Sequence, residues 1–127
     1  MKKMKRQTAQ RQAIEKVFRQ HDRLLAIPEI LAYGSRIVPS LNQATVYRNI
    51  KQLVAEGRIR QVKHPDLGTR YERAHKSHHH HFHCNGCNRV MDLPGCALKE
   101  DHIVPDGFVL ESHDVFLSGL CDRCAGR

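Results

Sequence analysis

The sequence is poor in the features that would place a chain in a membrane or send it across one. None of its apolar runs approaches the roughly 20 residues of a membrane-spanning helix. Its basic opening, "MKKMKRQTAQRQ", lacks the apolar segment of a signal peptide. The expectation is a cytoplasmic protein with no membrane partner, whose cysteines stay reduced and available to a metal. There is no internal repeat and no low-complexity tail. An H-E-x-x-H pair is absent as well, which removes the clearest sign of a metal-dependent hydrolase. The chain therefore reads as not an enzyme. Water activated at an open metal position beside an acid is the enzymatic alternative, and metal storage is the other. The 127 residues, 40% of them hydrophobic, allow one domain or two very small ones, and domains that small bury too little surface to be secure alone.

Charge is divided along the chain. Residues 1–76 hold 17 of the 21 Lys and Arg and 6 of the 13 acids, a surplus of eleven positive charges, whereas residues 77–127 carry a surplus of three negative ones. The first part is attractive to a polyanion and the second is not; a merely solvated basic face is the plainer alternative.

Helical spacing recurs three times in the basic part. In "QTAQRQAIEKVFRQ" it puts Ile14, Val17 and Phe18 on one face. In "LLAIPEILAYG" Pro28 suits a first turn, Ile27, Ile30 and Leu31 form the stripe, and Gly34 is a natural stop, so "SRIVPSL" reads as a loop. In "NQATVYRNIKQLVAEG" Asn42 is placed to cap, and Val46, Ile50, Leu53 and Val54 face inward. That leaves Gln43, Tyr47, Arg48 and Lys51 on the opposite side. Two alternating segments, "RIRQVKH" and "TRYERAH", flank "PDLG" as a hairpin. Three helices and a hairpin in a basic segment are the order of a winged helix, whose later helix enters the major groove. Tyr47 and Arg48 are the leading contacts, with Arg48 on a guanine edge or on a phosphate. Lys2, Lys3, Lys5, Arg6 and Arg11 are further phosphate contacts.

The remainder changes character. "FHCNGCNRVMDL" and "GFVLESHDVFLSGLC" read as strands, and "CALKED" opens at most a short helix. The boundary is expected near His75. If residues 78–83 are extended, His79, His81 and His83 point one way and His78, His80 and Phe82 the other. One strand then feeds two metal centres on opposite sides, and imidazole suits zinc, iron, nickel or copper. The hooks "CNGC" and "CDRC", Cys84 with Cys87 and Cys121 with Cys124, stand 33 residues apart. They can supply four thiolates to one tetrahedral Zn2+; redox disulfides and thiolate-bound iron are the alternatives. Cys96 is left over, as a core residue, an extra ligand or a redox-sensitive thiol. Glu72, Asp92, Glu100, Asp101, His102, Glu111 and His113 are further potential ligands. His21, His64 and His75 read as solvated or capping residues.

These pieces together resemble the ferric uptake regulator family of iron, zinc and peroxide sensors. The resemblance rests on "QATVYRNIKQLVAEGRI", "RYER", "HHHHFHCNGCNRVMDL" and "GFVLESHDVFLSGLCDRC". It implies an α+β fold: an N-terminal winged helix-turn-helix DNA-binding domain, residues 1–75, and a small α/β dimerisation domain, residues 76–127, with a four-cysteine zinc site. It further implies a homodimer on near-palindromic double-stranded DNA. Structural zinc falls on Cys84, Cys87, Cys121 and Cys124. The regulatory metal falls on Glu72, His79, His81 and Asp92, and an additional site on His78, His80, Glu100 and His113. Tyr47 and Arg48 lie at the family's DNA-contacting positions. Three features depart from the pattern: Leu24 stands where relatives often carry a histidine ligand, Asp92 to Gly107 is short, and His83 precedes Cys84. The exchangeable metal is read as Zn2+ before Fe2+ or Mn2+, giving a zinc-responsive repressor of metal uptake; iron- or peroxide-responsive repression is the alternative within the family.

Overall fold

The computed structural model describes residues 6–96, 98 and 103–126. The chain divides into two compact units, with the boundary between His75 and Lys76. Lys5, Glu100, Asp101, His102 and the Arg6 side chain, all singled out in the sequence, lie outside the described residues, as does most of "CALKED".

The N-terminal unit holds α1 (Arg6–Gln20), α2 (Ile27–Ile37), α3 (Gln43–Ala55) and an antiparallel hairpin of β1 (Ile59–His64) and β2 (Gly68–Arg73). Its core is the set of apolar positions that recur at helical spacing: Ile14, Val17 and Phe18 from α1, Ile30 from α2, and Val46, Ile50 and Leu53 from α3, with Ile59 and Tyr71 from the hairpin. Each such side chain contributes about 1.5–3 kcal/mol when fully buried. The hairpin is tied to the helices by paired backbone bonds, Leu25 N–H to Tyr71 O at 2.7 Å and Tyr71 N–H to Leu25 O at 2.9 Å.

Gly34 does not stop α2, which continues three residues to Ile37. The glycine is buried inside the helix instead, and a Cβ there would lie 2.6 Å from Leu41 Cδ2. Its small size admits Leu41 to the core; no left-handed turn is involved. α3 begins where Asn42 Oδ1 accepts from Thr45 N–H at 2.9 Å. Asn42→Ala is expected to lower the stability of this unit by about 1 kcal/mol, read from urea unfolding of the helical signal.

The C-terminal unit is a three-stranded sheet in the order β4-β3-β5, from β3 (His79–Cys84), β4 (Val90–Pro94) and β5 (Phe116–Gly119), closed by the short α4 (Asp122–Ala125). β4 runs antiparallel to β3 and β5 parallel to it. The strand expected from residue 107 onward is therefore only its last part. The free edge of β3 pairs with residues 116–119, and 108–115 run outside any strand. The two units are built differently inside. Among the described residues, the C-terminal unit buries Cys84, Cys121, His80, His81 and His83, and no aliphatic, Phe or Tyr side chain. Phe108, Val109, Leu117 and Leu120 are exposed, and Phe82, Met91, Leu93 and Phe116 are only half-buried. A sheet with so little apolar core needs other sources of stability.

Candidate metal centres and nucleic-acid interface

The four hook cysteines converge. One sulfur of each lies within 4.8 Å of all the others, and none is in a disulfide. Cys84 ends β3, and Asn88, in the left-handed region at φ 63°, turns the chain so that its N–H returns to Cys84 O at 2.8 Å. Cys121 comes in beside it, its N–H donating to Cys84 Sγ at 3.3 Å. Gly86 is where the loop meets the second hook: a Cβ would lie 2.7 Å from Cys124 Sγ.

The donor set fits a zinc ion in spacing and in charge. A tetrahedron with Zn–S bonds of about 2.3 Å has edges of about 3.8 Å, and Cys87 Sγ lies 3.8 Å from Cys121 Sγ. The N–H groups of Cys121 and then Cys87 pull the Cys84 thiol down to about 6, against the opposing effect of burial. Hydrogen bonding to Cys121 and then to Cys84 pushes Cys124 up to about 12. Thiols this close share protons unless a cation neutralises them, which is the environment a dication takes over.

β3 serves two more clusters from its opposite faces. His79, His81 and Asp92 each place one donor atom within 4.8 Å of the others. The register sets this, because His81 faces Asp92 across the β3–β4 pair, leaving His81 Nε2 and Asp92 Oδ1 3.7 Å apart. Asp92 Oδ1 is buried with no hydrogen-bond partner among the described residues, an arrangement that suits a cation. His79 Nδ1 is 2.8 Å from Ser77 O; a carbonyl only accepts, so Nδ1 carries the proton and Nε2 keeps its lone pair. Such a second bond commonly orients a metal-binding imidazole. Lys76, which the sequence did not single out, reaches Asp92 Oδ2 with its ammonium. Glu72 lies on β2 opposite Arg60, whose Nε donates to Glu72 Oε2 at 3.2 Å.

On the other face His78, His80 and His113 gather with Cys96, again within 4.8 Å. The family resemblance puts Glu100, outside the described residues, in the fourth place; among the described residues the fourth donor is Cys96. Burial, and then the neighbouring His78 and His113, hold His80 below the usual histidine range. That favours the neutral imidazole, the form that binds a metal. His83 is outside both sets, with Nε2 3.1 Å from Asn88 Oδ1. His64 is buried rather than solvated, and its Nδ1 accepts the N–H groups of Asp66 and Leu67 in the hairpin turn.

In the N-terminal unit Gln43, Tyr47, Arg48 and Lys51 are all exposed on α3, Tyr47 by 54%. Arg48 is steadied by Thr45 Oγ1 at 3.4 Å. Arg11 is engaged differently from the α3 residues, bridging Glu15 at 3.0 Å and Glu56 at 2.8 Å. These carboxylates, Glu56 first, raise its pKa and offset its charge.

A sequence model of the ferric uptake regulator family matches residues 2–118. The chain belongs to that family. The transcriptional regulator FurA of Mycobacterium tuberculosis is 30% identical to it over 95 residues, which are 69% of this chain and 62% of FurA. The ferric uptake regulation protein of Campylobacter jejuni is 30% identical over 91 residues, 68% of this chain and 58% of that protein. The chain thus aligns with less than two thirds of the length of these relatives. The solved ferric uptake regulator of Helicobacter pylori, described as revealing three functional metal binding sites, superposes with a TM-score of 0.79 at 25% identity. That match covers 91% of this chain and 79% of the other.

Leu24 is buried and apolar, so it offers no ligand. His21, the nearest histidine, is stacked on Tyr33 at 3.8 Å between ring centroids.

Proposed function

We infer that this chain is a metal-dependent, sequence-specific DNA-binding transcriptional regulator, a zinc-responsive repressor of metal-uptake genes acting as a homodimer. The observation that carries the reading is the gathering of His79, His81 and Asp92 in a chain whose basic half exposes a recognition-type helix. Cys84, Cys87, Cys121 and Cys124 hold a permanent zinc, which supplies tetrahedral closure and folding energy. His79, His81 and Asp92, with Glu72 added on the family pattern, hold the exchangeable ion. Support for several centres in one chain comes from the H. pylori relative and its three functional metal binding sites.

The exchangeable ion acts by favouring one arrangement of the recognition helices over others. Metal then strengthens DNA binding only so far as it prefers that arrangement. α3 enters the major groove, the β1–β2 hairpin acts as the wing, and Lys5, Arg6 and Arg11 reach phosphates. The exposed Phe108, Val109, Leu117 and Leu120 support pairing with a second copy, and a symmetric dimer calls for a near-palindromic operator. Iron-responsive repression is the second reading. It is favoured by the carboxylate of Asp92, which gives a harder, mixed site, and by the C. jejuni relative, a ferric uptake regulation protein.

DNA binding titrated against buffered free Zn2+, Fe2+ and Mn2+, with metal content measured on the same samples, tests the choice. Activation is expected at the lowest free concentration with Zn2+. Activation by Fe2+ alone overturns the zinc reading and leaves the iron one. The Lys76 ammonium competes with any cation for Asp92, so Lys76→Met is expected to tighten the exchangeable metal about fivefold, a gain of ~1 kcal/mol. Competition with a chelating dye measures it.

A further inference from the structure

Cys96 stands outside the four-thiolate cluster. It is the second residue past β4, after Gly95, which turns the chain at φ 77° and donates its N–H to His78 O at 3.0 Å. That turn brings the sulfur to the imidazoles. Cys96 Sγ lies 3.0 Å from His80 Nε2 and 3.3 Å from His113 Nε2. The three rings of His78, His80 and His113 stand 4.7 to 5.1 Å apart between centroids. Leu98 N–H also points at the sulfur, at 3.4 Å. The donors come from three separate stretches, so their meeting is built by the fold rather than by adjacency in the chain.

We propose that Cys96 supplies the fourth ligand to the site that the family resemblance implies on His78, His80 and His113, making it a three-imidazole, one-thiolate site that takes a borderline-soft divalent cation, Zn2+, in preference to Mn2+ or Fe2+. The proposal deepens the reading of the C-terminal unit as metal-binding and does not depend on DNA recognition. A carboxylate in the fourth place would leave the site open to harder cations. Sulfur shifts it toward Zn2+, because thiolates favour softer ions while imidazole accepts most of them. The two faces of β3 are then tuned apart, with nitrogen and oxygen around Asp92 and nitrogen and sulfur around Cys96.

Loading the site is balanced by proton release. Cys96 gives up its thiol proton to solvent as the metal–sulfur bond forms. Val115 N–H donates to His80 Nδ1 at 3.3 Å, which leaves the ring proton on Nε2, facing the sulfur. Metal binding at Nε2 transfers that proton to Nδ1 through solvent, and the long bond from Val115 is given up. No electron is transferred.

The test uses the full chain purified with its four-thiolate zinc in place, titrated with Co2+ while bound zinc is followed. A near-ultraviolet thiolate-to-cobalt band is expected with no loss of zinc, abolished in Cys96→Ser and kept in His79→Ala. Added Zn2+ removes the band, whereas the same concentration of Mn2+ leaves it. Cobalt binding without such a band, or a band that survives in Cys96→Ser with zinc retained, overturns the proposal. The unmodified chain gives a second reading: Zn2+ is expected to slow maleimide alkylation of Cys96, followed by peptide mass, by about tenfold or more, and Mn2+ to have no such effect. An alkylation rate indifferent to Zn2+ also overturns it. Cys96→Asp keeps an anionic ligand and is expected to cut the preference for Zn2+ over Mn2+ by about tenfold; an unchanged preference shows that the sulfur does not set it. If DNA binding proves independent of metal while these results hold, the regulatory reading fails and the site stands.

Discussion

A Cys84→Ser chain is expected to lose its structural zinc and, with it, the folded C-terminal unit and the dimer. The expectation follows from how little else holds that unit together. Cys84 and Cys121 are its buried apolar residues among those described, and its other buried groups are histidines. The thiolates join the end of β3 to the chain around α4, two stretches more than thirty residues apart in sequence. Structural zinc in small peptides is worth about 10–16 kcal/mol in apparent binding energy, against the roughly 5–15 kcal/mol of net stability of a typical domain. Serine keeps the size of the side chain but offers a poor zinc ligand in a site shaped for sulfur. Zinc per chain, sedimentation and the sheet signal in circular dichroism check the result. A Cys84→Ser dimer that remains folded without zinc would show that the staple is dispensable.

Arg48→Ala is expected to weaken operator binding by about 10- to 100-fold, corresponding to about 1–3 kcal/mol for a lost base contact. Arg48 is exposed on the face of α3 that the helix turns away from Val46, Ile50 and Leu53, so the loss is one of recognition and not of folding. Assays on operators altered one base pair at a time separate its two possible roles. A base contact predicts relaxed discrimination at one position; a phosphate contact predicts uniform weakening and a salt slope reduced by about one. Arg11→Ala is expected to be milder, because Glu15 and Glu56 already draw on its charge. Full binding by Arg48→Ala would move the interface off α3.

The parts of the fold that were legible are those set by local periodicity. The stripe of Val46, Ile50 and Leu53 and the cap at Asn42 mark α3 because both depend on residues within a few positions of one another. The alternation through residues 78–83 is equally local, and it separates His79 and His81 from His78 and His80 before any partner is known. What escaped depends on contacts distant in sequence. Gly34 reads as a helix stop until Leu41 is found beside it, so close that a Cβ would push it aside. Residues 107–121 have strand-like composition throughout, but only 116–119 meet the open edge of β3. Cys96 reads as a core residue, an extra ligand or a redox-sensitive thiol, with no local signal for the cluster it joins. Its neighbours His80 and His113 lie 16 and 17 residues away on either side, and only the turn at Gly95 unites them. Lys76 was missed for the same reason, since nothing near it in sequence points to Asp92.

The central claim is that an exchangeable ion, held apart from the thiolate zinc, sets the grip of the paired chains on DNA. The direct measurement is operator affinity of the zinc-stapled dimer before and after removal of that ion alone, with structural zinc verified in both samples. A coupling of about 1–3 kcal/mol predicts binding roughly 5- to 150-fold tighter with the ion present. Equal affinities in the two samples would contradict the account.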